Sequence, residues 1–164
     1  MAGARIELDA REASNTLSAL AGSLENPAPL LRDIGEYLLQ VHRNRFRTQT
    51  SPEGVPWAAL SPSYLKRKPK NQGKVLTLSG LLRNTLRYQV LGTELLFGTD
   101  RPYGAVHQFG AAQGQFGKTK RGSPIPWGHI PARPWLGTSA EDDREILALT
   151  RDYLEFATGA SAPL

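Results

Sequence analysis

The chain has 164 residues, 40% of them apolar and 21% charged, which suits one globular domain and excludes a disordered chain. It has no cysteine, which excludes disulfides and thiolate metal sites. The net charge of +5 is uneven: residues 1–41 hold three basic and six acidic groups, 42–74 eight and one, 75–138 seven and two, and 139–164 two and six.

Residues 9–24 read as a helix, with Ala13, Leu17, Leu20 and Leu24 on one face assigned to the core. Asn26 is expected to cap a second helix and Pro27 to occupy its first turn. Leu30, Ile34, Tyr37, Leu38 and Val41 then face the core until about Phe46. Residues 47–75 carry Pro52, Pro56, Pro62 and Pro69 and read as a mobile connector. One short helical turn follows Ser61-Pro62, and Trp57 pins the segment to the core. The KRKPK stretch at 66–70 reads as solvated.

Ser79 is expected to cap a short helix through Leu81, Leu82 and Leu86. Leu86, Tyr88 and Val90 alternate with polar residues, and Leu95, Phe97 and Thr99 answer them. This predicts a hairpin about Gly92-Thr93, with glycine first as a type II′ turn requires. Tyr103 to Phe109 reads as one or two helical turns, 110–134 as a mobile loop rich in Gly and Pro, and RPWLGTS (133–139) as a short strand. Ser139 caps the last helix, with Glu141, Asp142 and Asp143 in its first turn and Ile146, Leu149, Tyr153 and Phe156 on its apolar face. Residues 158–164 are expected to fray. The order predicts one α+β domain over 1–164, a small antiparallel sheet packed against helices with a long connector and a long loop.

Gly117-Lys118-Thr119 resembles the end of a nucleotide-binding P-loop, but the context fails. The required first glycine falls on Ala112, no apolar strand precedes the loop, and Arg121-Gly122-Ser123-Pro124 stops any helix after it. His42, His107 and His129 lack metal-ligand spacing, and His107, near Val106 and Phe109, reads as a hydrogen-bonded structural histidine. No serine lies in Gly-x-Ser-x-Gly, and Glu94 and Asp100 have no second carboxylate near them. No catalytic, metal-ligating or cofactor-binding residue is therefore assigned, and no cofactor is expected.

The acidic ends and basic middle suit a polyanion, attraction between copies, or a plain solvated surface. Arg43, Arg45 and Arg47, Lys66 to Lys70, and Lys118, Lys120 and Arg121 are the candidates for phosphate contact. Aromatics are only 8% and form no stacking motif, so nucleic-acid binding would depend on the phosphate backbone. No secretory signal is visible and no stretch approaches the roughly 20 apolar residues that cross a bilayer, so a soluble intracellular chain is expected.

Three stretches in order, LTLSGLLRNTLRY (76–88), GTDRPYGAVHQFG (98–110) and IPARPWLGTS (130–139), together resemble the phage virion morphogenesis family, the tail-completion proteins of Mu-like and related tailed phages. RNRFRTQTSPEGVPWAALSPSYLKRK agrees more loosely, and the resemblance covers about 27–156. It implies a virion structural protein without catalytic residues, at the neck or head–tail junction, that caps the tail tube or joins it to the head. The implied architecture is a small α+β subunit in a ring, six copies by analogy with tail-tube symmetry. The implied partners are the tail tube, the head connector and DNA in the lumen. The chain departs from many relatives in the 19 residues, 111–129, between HQFG and IPARP.

From the residues, Phe116, Lys118, Lys120, Arg121, Trp127 and Arg133 are expected at a subunit or partner interface, with Pro131 and Pro134 aiming Arg133. Trp57, Tyr103, His107, Phe109 and Trp135 are expected as structural anchors. The alternative is a sequence-nonspecific DNA-binding accessory protein that stays outside the particle.

Overall fold

A computed structural model describes residues 11–159. The order is α1 (Arg11–Glu25), α2 (Ala28–Thr48), α3 (Pro62–Arg67), α4 (Leu81–Asn84), β1 (Arg87–Leu91), β2 (Glu94–Gly98), α5 (Tyr103–Phe109) and α6 (Ala140–Thr158). This is an α+β fold. The first residues of the helix expected from position 9, and the end of the tail after Gly159, lie outside the described residues.

Helix α2 is the spine. Its 21 residues span about 32 Å at 1.5 Å per residue. Ile34, Leu38, His42 and Phe46 recur every fourth residue and are buried, with Leu39 beside them. Against this stripe lie α6 on one side and the hairpin and α4 on another. The core is Leu39, Phe46, Trp57, Leu82, Leu86 and Trp135. Phe46 is its centre, with the ring of Trp57 at 5.3 Å and that of Trp135 at 6.2 Å.

The expected hairpin is present. Tyr88 pairs with Phe97 and Val90 with Leu95. Gly92 sits at φ 59° while Thr93 stays out of the left-handed region, as a type II′ turn requires. Tyr88 lies flat against Gly35. A Cβ at position 35 would come within 2.6 Å of the Tyr88 ring, so only glycine lets strand and helix approach this closely.

Several details differ from the sequence reading. Pro27, at φ −75°, takes the cap position of α2, so Asn26 does not cap it and no side chain satisfies that end. The cap position of α4 is Gly80 rather than Ser79, because the backbone there is left-handed at φ 80°. RPWLGTS is not a strand. Trp135 N and Leu136 N both donate to Gln108 Oε1 at 2.9 Å, so a side chain of α5 takes the bonds a ladder would have used. Among the described residues the sheet has two strands. Leu17, Leu24 and Phe156, assigned to the core, are exposed; among the described residues, α1 packs chiefly on α6.

Lys68 also departs from its solvated neighbours. It is 2% exposed. Its ammonium donates to Asn71 O at 2.6 Å and to Lys74 O, folding residues 68–74 around the charge.

Candidate interaction surface

The frame of the surface is a buried polar network at the C-terminal end of α2. Ser139 and Asp142 form a capping box at the start of α6, with Ser139 N donating to Asp142 Oδ2 at 2.6 Å and Asp142 N to Ser139 Oγ at 3.2 Å. Asp142 also accepts from Tyr37 OH at 2.9 Å and pairs with Arg45. Burial alone would raise the Asp142 carboxyl. The Ser139 bonds, the Tyr37 bond and the Arg45 charge together outweigh it and hold the carboxyl below its ordinary range. Tyr37 is pushed up to about 12, by burial first and then by its bond to Asp142. Arg45, a candidate for phosphate contact, is thus committed inside the subunit.

His42 completes the network. Its Nδ1 lies 2.7 Å from Leu38 O, so that nitrogen carries the proton and donates. Nε2 is left as acceptor for Gly137 N at 3.4 Å and Arg45 at 3.3 Å. Burial lowers the His42 pKa to about 4, against the partial opposition of the Leu38 bond.

The same end of the molecule is laced by two long-range pins. Trp57 Nε1 donates to Pro134 O at 2.7 Å, and Trp135 Nε1 to Gly104 O at 2.9 Å. Both tryptophans are buried, at 6% and 2% exposure. Gln49 adds a pin that sequence reasoning missed. It ends α2 at φ 65°, its Nε2 donates to Phe46 O at 2.6 Å, and its Oε1 accepts from Val75 N, closing both ends of the connector on one residue. The available signal was its place in the RNRFRTQTSPEGVPWAALSPSYLKRK stretch.

Arg133 is brought not to an outer surface but into this frame. It is 6% exposed. Its Nε donates to Ala58 O at 2.7 Å and its NH2 to Ala59 O at 2.9 Å, so it staples the connector. Among the other expected anchors, Tyr103 stacks edge-on with His107 at 6.2 Å, while Phe109 is exposed and anchors nothing. His107 is not hydrogen-bonded through Nδ1, which is buried without a partner, and burial followed by the Arg133 charge lowers its pKa. Tyr103, His107 and His129 line a hollow of about 740 Å³ between α3, residues 76–82 and the 129–133 strap, with no carboxylate in its walls.

The remaining expected interface residues are brought together. Gly110 turns out of α5 at φ 76°, where a Cβ would meet Ala132 N and Ile130 O at 2.8 Å. The chain then leaves and returns as a two-legged arm. Ala111 N donates to Ile130 O at 2.9 Å, Phe116 N to Ile125 O at 2.8 Å, and Thr119 N to Ser123 O at 2.8 Å. Lys118, Lys120 and Arg121 lie exposed at the tip, with Phe116 and Trp127 exposed along the legs. No acidic residue lies in 110–134. The arm displays apolar surface and positive charge outward, which is the chemistry of a contact surface.

Among the described residues, no group of His, Asp and Glu could hold a metal ion, and no helix is long and apolar enough to cross a membrane.

Comparison with known proteins gives one family and a consistent set of relatives. Residues 8–155 match the phage virion morphogenesis family. The chain is 29% identical to the Mu-like prophage FluMu G protein 2 of Haemophilus influenzae, over 90% of this chain and 92% of the relative. It is 28% identical to the putative capsid assembly protein G of Escherichia phage Mu, over 93% and 94%. It is 27% identical to the tail completion protein S of Escherichia phage P2, over 83% and 93%. No solved structure matches.

Proposed function

We infer the role from the premise that this match supplies: the chain belongs to the phage virion morphogenesis family. It is a phage structural assembly protein. Within that role, it acts as a tail completion or terminator factor at the head–tail junction. Copies form a ring, six being favoured, that caps the tail tube and lets the head join. The observation that carries this reading is the near full-length likeness to a relative named as a tail completion protein. The arm supports it, since an outward apolar and cationic projection suits a subunit that works by contact. The chain works without catalysis or cofactor. Its partners are other copies, the tube and the connector, with DNA passing through the lumen, and its place is the virion.

The test is a phage carrying a stop codon early in this gene. Purified wild-type particles should contain the chain at a few copies by mass spectrometry. The mutant lysate should hold heads and tails that fail to join. Infectious, complete particles lacking the chain would reject the reading.

The exposed cations of the arm favour a second reading, a sequence-nonspecific DNA-binding accessory protein. It predicts retention on duplex DNA that falls steeply with salt, and absence from particles.

A further inference from the structure

The arm and the α1–α6 pair sit at opposite ends of the subunit. At the start of α2, Tyr153 OH donates to Asn26 O at 2.8 Å, joining α6 to the turn after α1. At the other end, about 32 Å away along α2, the contacts of Trp57 with Pro134 and of Arg45 with Gly137 hold the base of the arm.

The two ends differ in charge and both display apolar side chains: residues 11–25 and 151–159 hold Arg11 and Arg151 against Glu12, Glu25, Asp152 and Glu155, while 110–134 holds cations alone. On α1, Leu17 and Leu24, seven residues apart, share one exposed face. On α6, Asp152, Glu155 and Phe156 do the same at i, i+3 and i+4. Leu17, Leu24 and Phe156 are 67%, 69% and 79% exposed. The arm offers the counterpart: Phe116 and Trp127, 51% and 72% exposed, beside Lys118, Lys120 and Arg121.

We propose that the arm of one copy docks on the α1–α6 end of a second copy. Phe116 and Trp127 cover Phe156 on α6, while the tip cations meet Asp152 and Glu155 beside it. The contact joins two different patches of the same chain, so it is heterologous and repeats head to tail, closing into a ring when the rotation permits. Charge complementarity selects the pairing, because an arm facing another arm sets like charges together. The contact rests on the ring reading above and names the surfaces it uses.

The test is a charge exchange in the full chain, read by light scattering across concentration, with thermal melts as the check on folding. The wild type should self-associate. Lys118→Glu, Lys120→Glu and Arg121→Glu together should weaken association by at least about tenfold, as should Asp152→Lys with Glu155→Lys. Both sets in one chain, or an equal mixture of the two altered chains, should restore it, because each arm then meets a face of opposite sign. A wild type that stays monomeric at its highest soluble concentration overturns the proposal. So do single sets that associate like the wild type, or folded chains in which the combination restores nothing. Loss of duplex DNA retention in the arm set, with unchanged self-association, assigns the arm to a polyanion instead. Failure here with the chain present in particles sinks this contact alone; absence from particles sinks the head–tail reading alone.

Discussion

His42 is held neutral by its neighbours, and that makes stability depend on pH. Its folded pKa of about 4 lies below the ordinary 6.5. As pH falls through 6.5 towards 4, the unfolded chain takes up a proton that the folded chain refuses, so stability is lost over that window. The full loss is roughly 3 kcal/mol at 1.36 kcal/mol per unit. His107, lowered by burial and then by Arg133, acts in the same direction. Thermal melts from pH 7 to 4 should show the decline, and His42→Gln should flatten it; equal slopes in both proteins would remove His42 as the cause. At the same scale, Trp135→Ala should cost about 3–5 kcal/mol in chemical denaturation, since it empties a buried indole site and removes the bond to Gly104. Gly35→Ala should cost about 1–3 kcal/mol, the range for overpacking, because its new methyl meets the Tyr88 ring.

The connector is an element without regular structure that is nonetheless tied at named points. Arg133 supplies two of its bonds, to Ala58 O and Ala59 O. Arg133→Ala should therefore lower stability by about 1–3 kcal/mol, the range for buried partners left unpaired. Hydrogen exchange in residues 57–60 should quicken selectively, and an unchanged exchange pattern would mean the staple contributes little. The sequence reading placed Arg133 at an interface because two flanking prolines aim it. They do aim it, but inward. The start of α6 depends in the same way on Asp142, which receives Ser139, Tyr37 and Arg45 at once. Asp142→Ala leaves Arg45 buried without its counter-charge and should cost about 3–5 kcal/mol by denaturant titration.

For the whole molecule, the core and the arm are separable. The core closes through α2, the hairpin, Trp57 and Trp135, while the arm attaches across Gly110, Ala111 and Ile130. Deleting residues 112–122 should leave the melting temperature within a few degrees of wild type, because no core residue is removed. Particle yield should nevertheless fall, with tails left unfinished or unjoined. Normal particles from the deleted chain would show that the arm is a solvated loop, and a collapsed melt would show that it belongs to the fold.

Sequence alone determined what depends on neighbours along the chain. Helical spacing placed α2 and α6, alternation and Gly92-Thr93 placed the hairpin, and Ser139 with Asp142 marked a helix start. The ordered motifs also led to the family. The tertiary structure decided everything that depends on which distant group arrives. RPWLGTS has strand-like composition, yet Gln108 claimed its backbone. Leu17, Leu24 and Phe156 have core-like spacing, yet no third layer among the described residues covers them. Arg45, Lys68 and Arg133 count as positive charge in any local sum, yet each is buried against partners that its own segment does not identify as such. Periodicity reports that a face is apolar or a residue charged. Burial is a property of the space between elements, and it is settled only when they pack.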